Sequence, residues 1–452
     1  MIKFTKDGHM FITFGERSTA LYNSELAIAV KEKFGNELFT EQTIVSEILT
    51  FCYDWVAEKF KEIIHKRADI RFVFYLFANH ESSIELYLKN IREDILSSDG
   101  IDENTLSLNR RILKLALEQT CDVDYSTKGA FNTHPTKDKL QEYARDVEDL
   151  MYLGERLFGF AEHLAEQRMM EDGIQIDVRN NNLNTWRKHH YDPIYNVLMD
   201  NLFKQGYKKE IVDGGSVKEL REQLKVCMNI DYDFAGAQIF STKSHHSPKE
   251  PTFQTIQPEI LVQNLVKTAG ISETEARNFY EGLTISRFNK LSIKDSVYQS
   301  HSFKRYLFRP ILILNINGEH RALVGENKWQ ESIMVMATNG FQWQQAPEEW
   351  KKNDCFRSHL ERKADEHDKL LEDEVEVILK KQHIFFDRHI LSFTGAKGRS
   401  ISIVKPCGEI DFVLIDLTAK KIIVFDCKYH RAKHEMVGFS GDFSNFKNNY
   451  EP

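Results

Sequence analysis

The sequence predicts a mixed helix-and-strand protein, α/β and α in class. A largely helical N-terminal region should precede an α+β middle segment and a C-terminal α/β core with a mixed sheet. Three observations carry this expectation. Apolar residues recur at helical spacing early in the chain, as in Ile44, Ile48, Leu49, Cys52, Trp55, Val56 and Phe60. Two pairs of short apolar runs rich in β-branched residues follow, one turning at Gly318 and one at Thr418-Ala419. The composition, 41% hydrophobic and 28% charged with only 9 prolines, is that of a chain that can bury cores over its whole length. At 452 residues there is room for two or three of them, divided at about 1–235, 250–357 and 358–452.

The elements are expected in this order. A hairpin opens the chain, Ile2 to Thr5 and Met10 to Phe14 about Asp7-Gly8. Helices are expected over 43–65, 84–96, 106–120 and 137–170, the last breaking near Gly154. The stretch around 172–184 reads as turn, strand and loop, and a second helical group runs from Trp186 to Met228. A polar stretch at 231–257, with Ser-His-His-Ser-Pro-Lys-Glu-Pro at 244–251, reads as an interdomain linker. Two short helices, 258–268 and 273–283, flank Ala269-Gly270-Ile271, with capping-box spacing at Ser272 and Glu275. That pattern fits a helix-turn-helix or an ordinary helical hairpin. Strands at 310–317 and 320–324 and helices at 328–338 and 347–357 complete the middle segment.

Charge and cysteines narrow the function classes. The net charge of −8 does not mark a nucleic-acid binder, yet residues 383–452 hold ten basic and eight acidic side chains. Phosphate binding depends on such local balance. The six cysteines form no CxxC pair, so neither a zinc ribbon nor a disulfide framework is expected, and a reducing, cytoplasmic setting fits. The N-terminus has no signal-peptide core, and the densest apolar run, Phe72 to Ala78, is too short to cross a bilayer. No GxxxxGK[ST], GxGxxG or GxSxG pattern occurs, which argues against an ATP-driven motor and against a serine hydrolase. His189-His190 and His245-His246 lack partners at ligand spacing.

The chemistry concentrates in 360–430. A charged helix at 361–382 carries an apolar stripe, Leu371, Val375, Ile378 and Leu379. Strands are expected at 384–386, 400–404, 409–416 and 421–429. In the last strand Ile422, Val424, Asp426 and Lys428 share a face by period-two alternation. Folding the last two strands about Thr418-Ala419 sets Asp411 opposite Asp426, with Cα atoms roughly 4.5–5.5 Å apart. Two carboxylates so placed repel unless one is protonated or a cation sits between them. Magnesium suits them, because it takes hard oxygen ligands. The backbone carbonyl of Cys427 offers a further oxygen. Lys428 would then lie where it can position or deprotonate a water beside a scissile phosphate.

Gly408-Glu409-Ile410-Asp411 followed by Asp426-Cys427-Lys428, each beside an apolar strand, resembles the PD-(D/E)xK nuclease superfamily over about 358–440. Ile410 stands where the family name has proline, and Asp426 where glutamate is commoner. The resemblance implies a restriction-endonuclease-like core, with Asp411 and Asp426 as metal ligands and Lys428 as the residue that orients or activates water. It also implies a glutamate on the preceding helix. Glu372 fits that place beside the buried stripe, and Glu376 is its competitor. The activity implied is Mg2+-dependent cleavage of nucleic acid, DNA in first place, with Mn2+ able to substitute. An antiviral or restriction role, a protein partner or motor subunit and an oligomer would be in keeping with the family. His430, Arg431, Lys433 and His434 could touch phosphates or begin a solvated helix. A binding scaffold that keeps a nuclease-like fold without catalysis is the alternative from another class.

Overall fold

The computed structural model describes residues 2–4, 10–93, 103–126, 135–169, 173–188, 193, 197, 214–241, 253–343, 345–394, 397–403, 409–427, 437–438, 440–441 and 444. The chain begins with the hairpin β1 (Ile2–Phe4) and β2 (Met10–Ile12), Ile2 opposite Ile12. Helix α1 (Glu16–Phe34) then buries only Leu26, Ala27, Val30 and Ser18, a stripe too narrow to stand out in the sequence. After β3 (Leu38–Phe39) comes α2 (Gln42–His65), started by the Glu41 carboxylate accepting from the amides of Thr43 and Ile44, both at 2.9 Å. This cap satisfies two of the donors that every helix start leaves open.

Helix α3 (Ile70–Glu93) starts well before the expected 84, because the apolar run 72–78 is itself helical, burying Phe72, Val73, Leu76 and Phe77. It is followed by α4 (Glu103–Thr120), β4 (Asp124–Tyr125) and α5 (Lys137–Met169). The break expected at Gly154 does not occur. A Cβ there would lie 2.6 Å from a methyl of Ile112, so the glycine lets α4 and α5 approach closely. Strands β5 (Ile174–Asp177) and β6 (Asn184–Arg187) join β3 in an antiparallel sheet. Trp186 therefore lies in a strand rather than at the start of a helical group, and its indole donates to Gln175 Oε1.

The middle segment holds α6 (Gly214–Met228), α7 (Tyr232–Ser241), β7 (Phe253–Ile256), α8 (Pro258–Ala269), α9 (Glu273–Gly282), β8 (Thr284–Ile285), α10 (Ile293–Tyr298), β9 (Ile311–Ile316), β10 (Glu319–Gly325), α11 (Glu326–Asn339) and α12 (Glu348–Lys351). The expected linker is structured at both flanks. Tyr232 and Ile239 are buried, and β7 pairs with β10. Residues 242–252, with His245 and His246, lie outside the described part, as do His189 and His190. Asn317 and Gly318, both at positive φ, close the β9–β10 hairpin. Strands β4 and β8 add to β9 in parallel, so this sheet is mixed. The α8–α9 pair has the capping box and a left-handed Gly270, but the exposed residues Glu273, Glu275 and Glu281 of α9 are acidic, unsuited to a phosphate backbone.

The C-terminal part begins with α13 (Asp354–Lys381), then β11 (Phe385–Ile390), the hairpin β12 (Ser392–Thr394) and β13 (Ser400–Ser402), and the pair β14 (Ile410–Asp416) and β15 (Lys421–Phe425). A mixed sheet was expected here; among the described residues β11, β14 and β15 pair antiparallel. The tight turn between β14 and β15 allows only antiparallel pairing of those two strands, since parallel pairing needs a crossover of about a dozen residues or more. One face packs Phe386, Phe412, Leu414 and Phe425 against Val375 and Leu379 of α13.

A second correction concerns the cysteines. Cys227 and Cys355 form a disulfide with Cα atoms 5.4 Å apart, although 128 residues separate them. Helix α6 packs against α13, which brings together two thiols whose spacing carried no signal. Among the described residues no helix is long and apolar enough to cross a membrane.

Candidate active site

The β14–β15 hairpin is held at its tip by Asp416, whose carboxylate accepts from the amides of Thr418 (2.9 Å) and Ala419 (2.8 Å). From this turn the register runs Asp416 opposite Lys421, through Val413 opposite Val424, to Phe412 opposite Phe425. The next step beyond the paired strands is Asp411 against Asp426, as the sequence predicts. Phe412 and Phe425 stack with centroids 5.1 Å apart, fixing that end of the hairpin on α13.

The carboxylates do come together. Asp411 is 8% exposed, and its Oδ2 accepts the backbone amide of Cys427 at 2.5 Å. The Asp426 carboxyl lies beside it. Burial, first, and then Asp426 and Glu372 push the Asp411 carboxyl up to about 6, against the pull of the Cys427 amide. Two carboxyl groups so close favour the protonated form of one of them unless a cation sits between them. The Cys427 thiol is likewise raised, by burial and then by Asp411, Glu372 and Asp426.

Glu372 lies on α13 and is anchored from β11. Arg388 Nη2 donates to its Oε2 at 3.1 Å, and His389 Nε2 lies 3.4 Å from the same oxygen. Arg388 also binds Asp373 at 2.9 Å and Glu376, and lies over the Phe412 ring. Glu376 turns to Arg388 and Lys380, so of the two glutamates weighed it is Glu372 that bears on Asp411. Arg388 and His389 carry no signal in the sequence. Neighbours in a strand point to opposite faces, and nothing in the residue types marks a place where both reach one carboxylate.

Lys428 lies outside the described residues, as do Gly408, His430, Arg431, Lys433 and His434. Among the described residues no group of three or more His, Cys, Asp or Glu stands ready to hold a metal ion. The Asp411–Asp426 pair nonetheless suits a hard cation by its chemistry: two oxygen donors side by side, one of them buried and raised by that burial and by its neighbour. Comparisons with protein-family models, with curated proteins and with solved structures find no match to this chain.

Proposed function

We propose that the C-terminal part is a Mg2+-dependent endonuclease that hydrolyses phosphodiester bonds, with DNA as substrate and Mn2+ able to replace Mg2+. The observation that carries this reading is the placing of Asp411, buried on β14, beside Asp426 at the open end of the hairpin; burial first, and then Asp426, push the Asp411 carboxyl up to about 6. Carboxylates so placed are relieved by a divalent cation. Asp411, Asp426, Glu372 and the carbonyl oxygen of Cys427 are the groups that would hold it. When bound, the cation would neutralise charge developing on the phosphate and favour an attacking hydroxide at neutral pH. Lys428 would donate to the phosphate and orient the attacking water. We place such an enzyme in a restriction or antiviral system, working with a partner or motor chain.

A non-catalytic scaffold is the second reading. The observation in its favour is that the Arg388 guanidinium already counters the charge of Glu372, with His389 against the same oxygen. Incubation with plasmid, linear DNA and RNA in Mg2+ or Mn2+ separates the two. The nuclease reading expects cleavage that falls by on the order of 10²–10⁴-fold in Lys428→Ala, and that is lost in Asp426→Ala. Absence of cleavage with either metal, or cleavage indifferent to both substitutions, would overturn it.

A further inference from the structure

Strand β11 is irregular at one place, and that place faces Asp411. Its ladder with β14 pairs Arg388 with Phe412 and Ile390 with Ile410, while the step between them, His389 with Asp411, is missing. His389 has φ +55, in the left-handed region. Histidine enters this region more readily than most residues, but a non-glycine residue there in the middle of a strand is uncommon and breaks the ladder. In a regular strand Arg388 and His389 would point to opposite faces. Here both reach Glu372 Oε2, at 3.1 and 3.4 Å, and the other ring nitrogen of His389 meets Glu409 Oε1 at 3.4 Å. The imidazole thus ties α13, through Glu372, to Glu409 at the start of the strand that carries Asp411.

We infer that His389 is a positioning residue of the metal site: its left-handed backbone lets the ring bridge Glu372 of α13 and Glu409, two residues before Asp411. This rests on the nuclease reading above. Partners that orient a ligating carboxylate act on metal affinity, with typical losses of 10–100-fold when they are removed. A residue serving only to shape the strand would instead affect folding.

The test is Mn2+ binding to the full-length, metal-free protein by titration calorimetry and electron spin resonance, with thermal unfolding alongside. His389→Gly keeps the left-handed backbone without strain and removes the ring. It should weaken Mn2+ binding about tenfold or more, with an unfolding temperature unchanged or raised. His389→Asn, which tolerates the same backbone and retains a donor, should recover part of the affinity. Wild-type affinity in His389→Gly would overturn the role of His389 while leaving the nuclease reading in place. A wild-type protein that binds no Mn2+ would sink both together.

Discussion

Glu81 sits 1% exposed on α3, and its carboxylate accepts from the amides of Asn327 (2.9 Å) and Lys328 (3.1 Å). It thereby caps α11, whose own N-cap, Gly325, has no side chain to do so. Gly325 is required there, because a Cβ would fall 2.2 Å from a Glu81 oxygen. Around it lie further buried charges. Glu331 pairs with Arg110 and Lys328, and Glu118 binds Arg305 at 2.7 and 2.9 Å and the amide of Tyr306 at 2.7 Å. Burial pushes the Glu81 carboxyl up to about 8 and, acting in the opposite sense on a cation, draws Lys114 down to about 7. The folded state therefore holds the Glu81 proton more tightly than the unfolded chain does. Its contribution to stability is full below pH ~4.3 and declines as pH rises toward 8. Glu81→Gln keeps an acceptor and cannot ionise, so its stability relative to wild type should climb across that window. Chemical denaturation at pH 5, 6, 7 and 8 measures this; parallel pH curves for the two proteins would refute it.

At the scale of elements, the long helix α5 shows how tertiary contact overrides a local signal. Glycine in mid-helix usually marks a weak point, costing ~1 kcal/mol against alanine. Here Gly154 lies against the Ile112 side chain, with no space for a methyl. Gly154→Ala, favourable by propensity alone, should destabilise the protein by about 1–3 kcal/mol through overpacking. Pairing it with Ile112→Ala should recover much of that loss, a coupling readable from a double-mutant cycle in urea. The β14–β15 hairpin is the opposite case. Its two apolar runs, their spacing about Thr418-Ala419 and the alternation within each were enough to foresee the register, because a hairpin is a local structure whose turn sets its pairing. Helices α2, α4, α8 and α9 were legible for the same reason, from periodicity and caps. Helices α1 and α3 were not: the first has too narrow an apolar stripe, and the start of the second is apolar nearly all round.

Over the whole molecule, distant segments are joined by contacts that sequence spacing conceals. One core unites Ile48, Phe60 and Leu150 of the helical region with Leu312, Leu314 and Leu323 of the middle sheet. The Cys227–Cys355 bond ties α6 to the first turn of α13, the helix whose far half carries Glu372. Lys363 reinforces the same contact through Glu219 at 2.8 Å. Cys355→Ala should lower the unfolding free energy of the oxidised protein by about 2–4 kcal/mol, and the difference should vanish once both proteins are reduced. An unchanged unfolding midpoint under oxidising conditions would show that the tether contributes nothing.

What the sequence determined by itself was whatever depends on near neighbours. Helical periodicity, hairpin turns, the opposition of Asp411 and Asp426, and the placement of Glu372 on the buried edge of a charged helix all follow from spacings of a few to some fifteen residues. The tertiary structure alone decided the rest: the Cys227–Cys355 pairing, the buried charges about Glu331, the use of Gly154 as a contact and the turning of His389 toward Glu372. The first three depend on which surfaces meet across separations of about forty to more than two hundred residues, and the last on how β11 packs against α13. A backbone angle such as that of His389 is set by the contacts on both sides of its strand, and residue type alone does not reveal them.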